Sequence, residues 1–242
     1  MRFSEQTIFD GIVEREFTLG EATGVLWTPA TATRSLVLVG HGGGQHKKAP
    51  GVLGRAHRYV TECGFAVAAL DAPGHGGRPK SPADEEFTAT LRAKMAAGEP
   101  VGELVGTHNG GLADRAVPEW RALLDALPEY ERIGYAGVSL GTQIGLRLVA
   151  AEPRINAAVL GLAGGQGLLE VAARVTVPVE FLLQWDDELV PREGALAVFD
   201  AFPSAEKTLH ANPGGHGAVP RFEVDSSVAF FTRHLAGSPA AG

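Results

Sequence analysis

Four short stretches of the chain carry residue types that can do acyl chemistry. The first is Gly137-Val138-Ser139-Leu140-Gly141, a G-x-S-x-G pentapeptide set between an apolar run ending at Val138 and a helical pattern beginning at Leu140. A serine at a strand-to-helix turn is held in strained backbone geometry with its hydroxyl projecting above the sheet. The flanking glycines let neighbouring elements pass close. A glycine-rich turn containing serine can also be purely structural, so this context, more than the string, marks Ser139 as a nucleophile.

A serine hydroxyl is a weak nucleophile at neutral pH and needs a base, which in turn needs an orienting carboxylate. Trp185-Asp186-Asp187-Glu188-Leu189-Val190-Pro191 follows the apolar run Val179 to Gln184 and puts carboxylates at the carboxyl end of a core strand, where open α/β sheets build their sites. Either Asp186 or Asp187 can serve. Farther on, Pro213-Gly214-Gly215-His216-Gly217 sets His216 in a glycine-rich loop ahead of the last helical segment, completing the order serine, acid, histidine. The fourth stretch is His41-Gly42-Gly43-Gly44, where glycines free backbone N–H groups to face a developing oxyanion. The Leu140 amide and one at Gly43 or its neighbour would form a two-donor hole, each donor worth about 100–1,000-fold in rate. His41 itself reads as a support for that loop rather than a proton carrier.

The elements that must position these residues are legible as alternation. Ser35 to Val39, Phe65 to Leu70, Arg132 to Val138, Ala157 to Leu162 and Val179 to Gln184 are nearly all apolar, as expected of strands covered on both faces by helices. Val13 to Leu19 and Thr23 to Trp27 alternate and are joined by Gly20-Glu21, an antiparallel edge hairpin, and Glu206 to His210 adds a last strand. Helical stripes run from Ala113 to Leu127, Leu140 to Ala151 and Ser226 to Leu235, the first two ending before Pro128 and Pro153. The fold class is therefore α/β: a mostly parallel central sheet with helices on both faces, in a single domain spanning 1–242.

Residues 78–112, from Arg78 to Leu112, break the alternation. A stripe of Phe87, Leu91 and Met95, a break at Gly98-Glu99-Pro100 and a second apolar face at Val101, Leu104 and Val105 describe a small helical lid insertion. Phe87, Leu91 and Met95, with Trp185 beside the acid, are the expected lining of an apolar substrate pocket.

Composition excludes other classes. Hydrophobic residues at 45% and charged residues at 20% fit neither a disordered nor a fibrous chain. The formal net charge of −7 comes from scattered carboxylates and gives no footprint for nucleic acid or anionic lipid. No apolar run reaches the roughly 18 residues needed to span a bilayer. The start of the chain shows no cleavable apolar leader, and Cys63 is the single cysteine, so the expected compartment is the cytoplasm. His41, His46 and His57 have spacings that fit no zinc pattern, and neither metal nor other cofactor is assigned. His75, His108 and Asn109 lie where a contact at the pocket mouth is conceivable, but turn or surface roles are expected. Cys63, at a helix end before a strand, is expected to be buried and inert.

From Ser35 to Leu235 the chain resembles the α/β-hydrolase superfamily, whose four signatures occur here in the family's order. Asp71-Ala72-Pro73-Gly74-His75-Gly76 is similar to the family's turn after its fourth strand, and Asp187, three residues before Val190-Pro191, matches the usual position of the acid. Size and lid placement most resemble the dienelactone-hydrolase-like serine esterases, although that subgroup's namesake uses a cysteine at the position of Ser139. The resemblance implies catalytic Ser139, Asp187 and His216, a small-molecule ester substrate and an acyl-enzyme. The same triad also serves carbon–carbon bond hydrolases and thioesterases, and the fold can act as a non-catalytic ligand binder.

Overall fold

The computed structural model describes residues 1–237, so 238–242, the last residues of the expected 1–242 unit, lie outside the described residues. In chain order the elements are β1 (Arg2–Phe9), β2 (Ile12–Leu19), β3 (Ala22–Pro29), β4 (Ser35–Gly40), α1 (Pro50–Cys63), β5 (Ala66–Leu70), α2 (Pro82–Ala96) and α3 (Gly102–Asp125). They continue with β6 (Arg132–Gly137), α4 (Leu140–Ala151), β7 (Ile155–Gly161), α5 (Leu169–Ala172), β8 (Val179–Gln184), α6 (Arg192–Ala201), β9 (Lys207–Asn212) and α7 (Phe222–Leu235).

The strands form one sheet in the order β1-β2-β3-β5-β4-β6-β7-β8-β9. From β5 to β9 every pairing is parallel, while β1, β2 and β3 add an antiparallel flank. Alternate residues of each buried strand feed opposite layers, because successive side chains point to opposite faces. Leu36 and Leu38 join Leu112, Trp120 and Leu148 in one core, and Val37 and Val39 join Val52, Tyr59 and Phe231 in the other. Both layers being apolar is why these strands show no polar alternation in sequence. The strand order reverses at β4, whose neighbours are β5 and β6, and such a switch point opens a crevice at the carboxyl ends of the strands. Gly40 and Gly137 stand opposite one another there, so the segments after β4 and β6 leave the sheet side by side.

Two sequence expectations need correction. The hairpin of β2 and β3 forms, but it is not the sheet edge, because β1 pairs outside it. All eight residues of β1 are exposed, so it carries no buried stripe for periodicity to detect. The helix expected to begin at Ala113 also starts earlier. The chain does turn over Gly98 to Val101, but α3 then runs unbroken from Gly102, through Gly106, Gly110 and Gly111 and past Pro118, to Asp125. Its glycines dilute the helical signal, whereas packing of Asn109, Leu112, Ala113, Ala116 and Trp120 holds the helix. The segment 78–112 is therefore α2 plus the first half of α3. Only Asp84 of α2 is buried; it closes a capping box with Ser81 and meets Arg115 of α3 at 3.2 Å.

No described helix is long and apolar enough to cross a membrane.

Candidate active site

Ser139 sits between β6 and α4 with φ 58° and ψ −116°, a left-handed conformation that costs a non-glycine residue roughly 1–3 kcal/mol. The neighbourhood holds it there. Its N–H donates to the Gly161 carbonyl at 2.9 Å, and the buried Tyr135 hydroxyl donates to the Gly141 carbonyl at 2.7 Å. The Thr142 hydroxyl lies 2.8 Å from the carbonyl oxygen of Gly137 and 2.6 Å from that of Gly161. Leu140 opens α4, so its N–H has no carbonyl of the helix to reach and is available beside the serine hydroxyl.

Gly141 explains the second glycine of the pentapeptide. A Cβ on it would lie 2.9 Å from the Gly40 carbonyl oxygen and 3.3 Å from that of His41, both backbone atoms that cannot swing away. Gly141→Ala is therefore expected to cost about 1–3 kcal/mol in unfolding free energy. By pushing the elbow off the segment after β4, it should also lower turnover of an ester more than it changes KM; thermal unfolding and steady-state kinetics check this.

Three side chains from different strand ends meet at the elbow. His216 Nε2 is 3.0 Å from Ser139 Oγ, and its Nδ1 is 2.8 Å from Asp187 Oδ2. The other Asp187 oxygen accepts the Leu189 and Val190 N–H groups, each at 2.8 Å, which fixes the carboxylate's orientation. Asp186 points elsewhere: its Oδ2 accepts the Gly214 N–H at 3.1 Å, and its own N–H returns a bond to the Gly214 carbonyl. Glu188, which carried no signal in the sequence, accepts the His216 N–H at 2.9 Å. That bond holds the exposed Glu188 carboxyl below its ordinary value.

His41 is buried beneath the glycine loop. Burial lowers its pKa from 6.5 to about 4, so it is neutral at physiological pH. Its Nε2 accepts the Ala72 N–H at 3.0 Å, which leaves the Nδ1 proton for the Gly42 carbonyl at 2.8 Å. The folded chain thus binds fewer protons here than the unfolded chain between about pH 4 and 6.5, and this contribution to stability falls as the pH drops through that window. His41→Ala is expected to lose about 1–3 kcal/mol at neutral pH by orphaning the Ala72 N–H. Its deficit against wild type should narrow toward pH 4, as denaturant unfolding across pH will read.

Beside Ser139 and His216 opens a cavity of about 740 Å³. Its walls are the first half of α3, the segments 162–168 and 189–191 with Gly194, and Gln143 and Arg147 of α4. Phe87, Leu91, Met95 and Trp185 do not line it. Phe87 stacks on His108 at 3.6 Å, Met95 is exposed, and Trp185 lies on the surface under the Arg192 guanidinium. The apolar stripe on α2 suggests a pocket lining, but the cover over the cavity is the glycine-rich start of α3, which has little side chain to signal itself. Asn109 does face the cavity, whereas His75 packs against His41 and His108 under Phe87. Cys63 is half-buried, and burial raises its thiol pKa. Gln143 and Arg147, which do line the cavity, carry no signal of it in the sequence. One turn apart on α4, they read as an ordinary helical pair, and only the packing of α3 on α4 turns them inward, with Arg147 bonded to Asp114 at 3.0 Å and to Gln143 Oε1 at 3.2 Å. Gly43 is exposed and does not line the cavity.

No protein-family model matches the chain, and no curated protein does. Among solved structures it is similar to a cold-adapted esterase from an Arctic intertidal metagenomic library, in its complex with polyethylene glycol, at 35% identity and a TM-score of 0.78, covering 97% of this chain and 100% of that one. The native structure bearing the same description aligns at 30% identity and a TM-score of 0.70 over the same shares. An esterase of Pyrococcus furiosus, at 17% identity and a TM-score of 0.65 over 93% of this chain and 91% of its own, shares the fold. With the sheet order, the strained serine elbow and full-length similarity in hand, the chain belongs to the α/β-hydrolase esterases.

Proposed function

We propose that the protein is a serine hydrolase that cleaves a small carboxylic ester through an acyl-enzyme on Ser139. The carrying observation is the unbroken relay from Ser139 Oγ to His216 Nε2 at 3.0 Å and from His216 Nδ1 to Asp187 Oδ2 at 2.8 Å. Ser139 Oγ attacks the ester carbonyl while His216 takes its proton; the tetrahedral intermediate collapses, the C–O bond to the alcohol breaks, and His216 returns the proton to the departing alkoxide. Water, deprotonated by His216, then attacks the acyl-enzyme and releases the acid and the free serine. Asp187 accepts the Nδ1 proton's hydrogen bond throughout, keeping the Nε2 lone pair toward the hydroxyl. The developing oxyanion is held by the Leu140 N–H, which opens α4 directly after Ser139.

Residues 78–112 act as the cover of this site within a single domain, and it is the α3 part that faces the substrate. The cavity of about 740 Å³ suits a small ester, and Asn109, Gln143 and Arg147 offer hydrogen bonds to a polar group on it. The lone Cys63 agrees with a reducing compartment such as the cytoplasm. The reading is tested with a fluorophosphonate and a panel of p-nitrophenyl acyl esters. A single adduct mapped to Ser139 by mass spectrometry, with nitrophenol released from short acyl esters, is expected; an unlabelled serine in active protein would refute it.

A further inference from the structure

On the far part of the sheet, away from the cavity, three ligating side chains meet: Glu180 of β8, His210 of β9 and Glu223 in the first turn of α7, each offering an atom within 4.8 Å of the others. Glu180 and Glu223 are 3% and 4% exposed, and no lysine or arginine forms an ion pair with either among the described residues. Glu223 Oε2 takes the bond from His210 Nδ1 at 2.7 Å, and Glu223 Oε1 accepts from Asn212 Nδ2 at 2.7 Å. A carboxylate only accepts, so Nδ1 donates this bond, and in the neutral imidazole Nε2 is then left with its lone pair. That lone pair faces Glu180 Oε2 at 3.9 Å, beyond hydrogen-bond reach. Glu180 Oε2 already accepts the Ser226 hydroxyl at 2.8 Å, and Glu180 Oε1 is buried with no hydrogen-bond partner.

With the imidazole neutral, two acceptors face one another beside buried carboxylates that no lysine or arginine bridges, and a metal ion resolves this, since buried charges are paired or bind metals. Two ligand atoms at roughly 2.0–2.2 Å from one ion stand about 3–4 Å apart, which the Nε2 to Oε2 separation of 3.9 Å meets. The Nδ1 bond to Glu223 has the form that fixes a metal-bound imidazole's tautomer and raises its basicity. We infer that Glu180, His210 and Glu223 form a binding site for one first-row divalent cation of the zinc class, with His210 and Glu180 as direct ligands and Glu223 as orienting or third ligand. One imidazole with carboxylate oxygens suits Zn²⁺ over Mg²⁺ or Ca²⁺. The ligands lie 30 and 13 residues apart, at positions 180, 210 and 223, which is why no motif in the sequence announces them. An ion here clips both ends of the 213–221 segment that carries His216, because His210 precedes it and Glu223 follows it.

The test is zinc binding to the full chain, read by equilibrium dialysis with metal analysis and by thermal unfolding. Wild type is expected to retain about one Zn²⁺ and to gain thermal stability from it. His210→Ala and Glu180→Gln should each weaken binding at least tenfold, and His216→Ala, which removes a separate histidine–carboxylate pair, should leave it unchanged. Should a variant fail to fold, Co²⁺ added to wild type and to His216→Ala gives the answer: equal visible ligand-field bands in both support the site. No retained Zn²⁺ and no Co²⁺ band, unchanged binding in His210→Ala, or binding lost in His216→Ala overturns it. Hydrolytic activity enters none of these readouts, so the inference stands or falls apart from the proposed reaction.

Discussion

Ser139→Ala is expected to lower kcat for a p-nitrophenyl acyl ester by about 10⁶-fold, the scale of removing a serine nucleophile from a working triad. The change deletes one atom, Oγ, which lies 3.0 Å from His216 Nε2. It leaves Cβ, and the strained φ of 58° costs alanine much as it costs serine, so the fold should unfold at nearly the wild-type temperature. The oxyanion donors and the cavity remain, so the variant should still bind an intact ester and retain a residual rate above water. It should take up no fluorophosphonate. Hydrolysis by the variant at the wild-type rate would show that another group does the chemistry.

Asp187→Asn should lower kcat/KM at neutral pH by about 10⁴-fold, against less than about tenfold for Asp186→Asn. The difference follows from the hydrogen bonds. The Leu189 and Val190 N–H groups both donate to Asp187 Oδ1, so an asparagine keeps its oxygen toward them and turns its NH₂ to His216 Nδ1. That donor selects the tautomer with the proton on Nε2, which then faces Ser139 as a donor and cannot act as a base. Asp186, by contrast, only accepts the Gly214 N–H at 3.1 Å, a bond that an asparagine oxygen can also accept. Parallel kinetics on the two variants, with thermal unfolding as a control, decide it; equal losses would remove the distinction between the neighbouring aspartates.

Much of this arrangement was legible without coordinates because it is local. The pentapeptide at Ser139 announces itself through the strand before it and the helix after it. The buried strands are apolar on both faces because helices cover both, so a continuous run such as Val179 to Gln184 marks a central strand with its bounds unshifted. Asp187 and His216 could be ordered along the chain for the same reason, each lying just past the end of a strand.

What the sequence could not reveal is whatever depends on which helix lies over which. The β1 strand is exposed along its length and holds its place through backbone bonds to β2, which leave no mark on side-chain type. The cavity walls went to glycines of α3 and to Gln143 and Arg147, not to the apolar stripe on α2, because the packing of α3 against α4 settles which faces turn inward. Glu188, too, reaches the His216 N–H only once β8 and β9 lie side by side. Periodicity and turn chemistry act over a few residues and are written into the chain directly, whereas the angle and register at which distant elements meet arise from the packing of both cores at once.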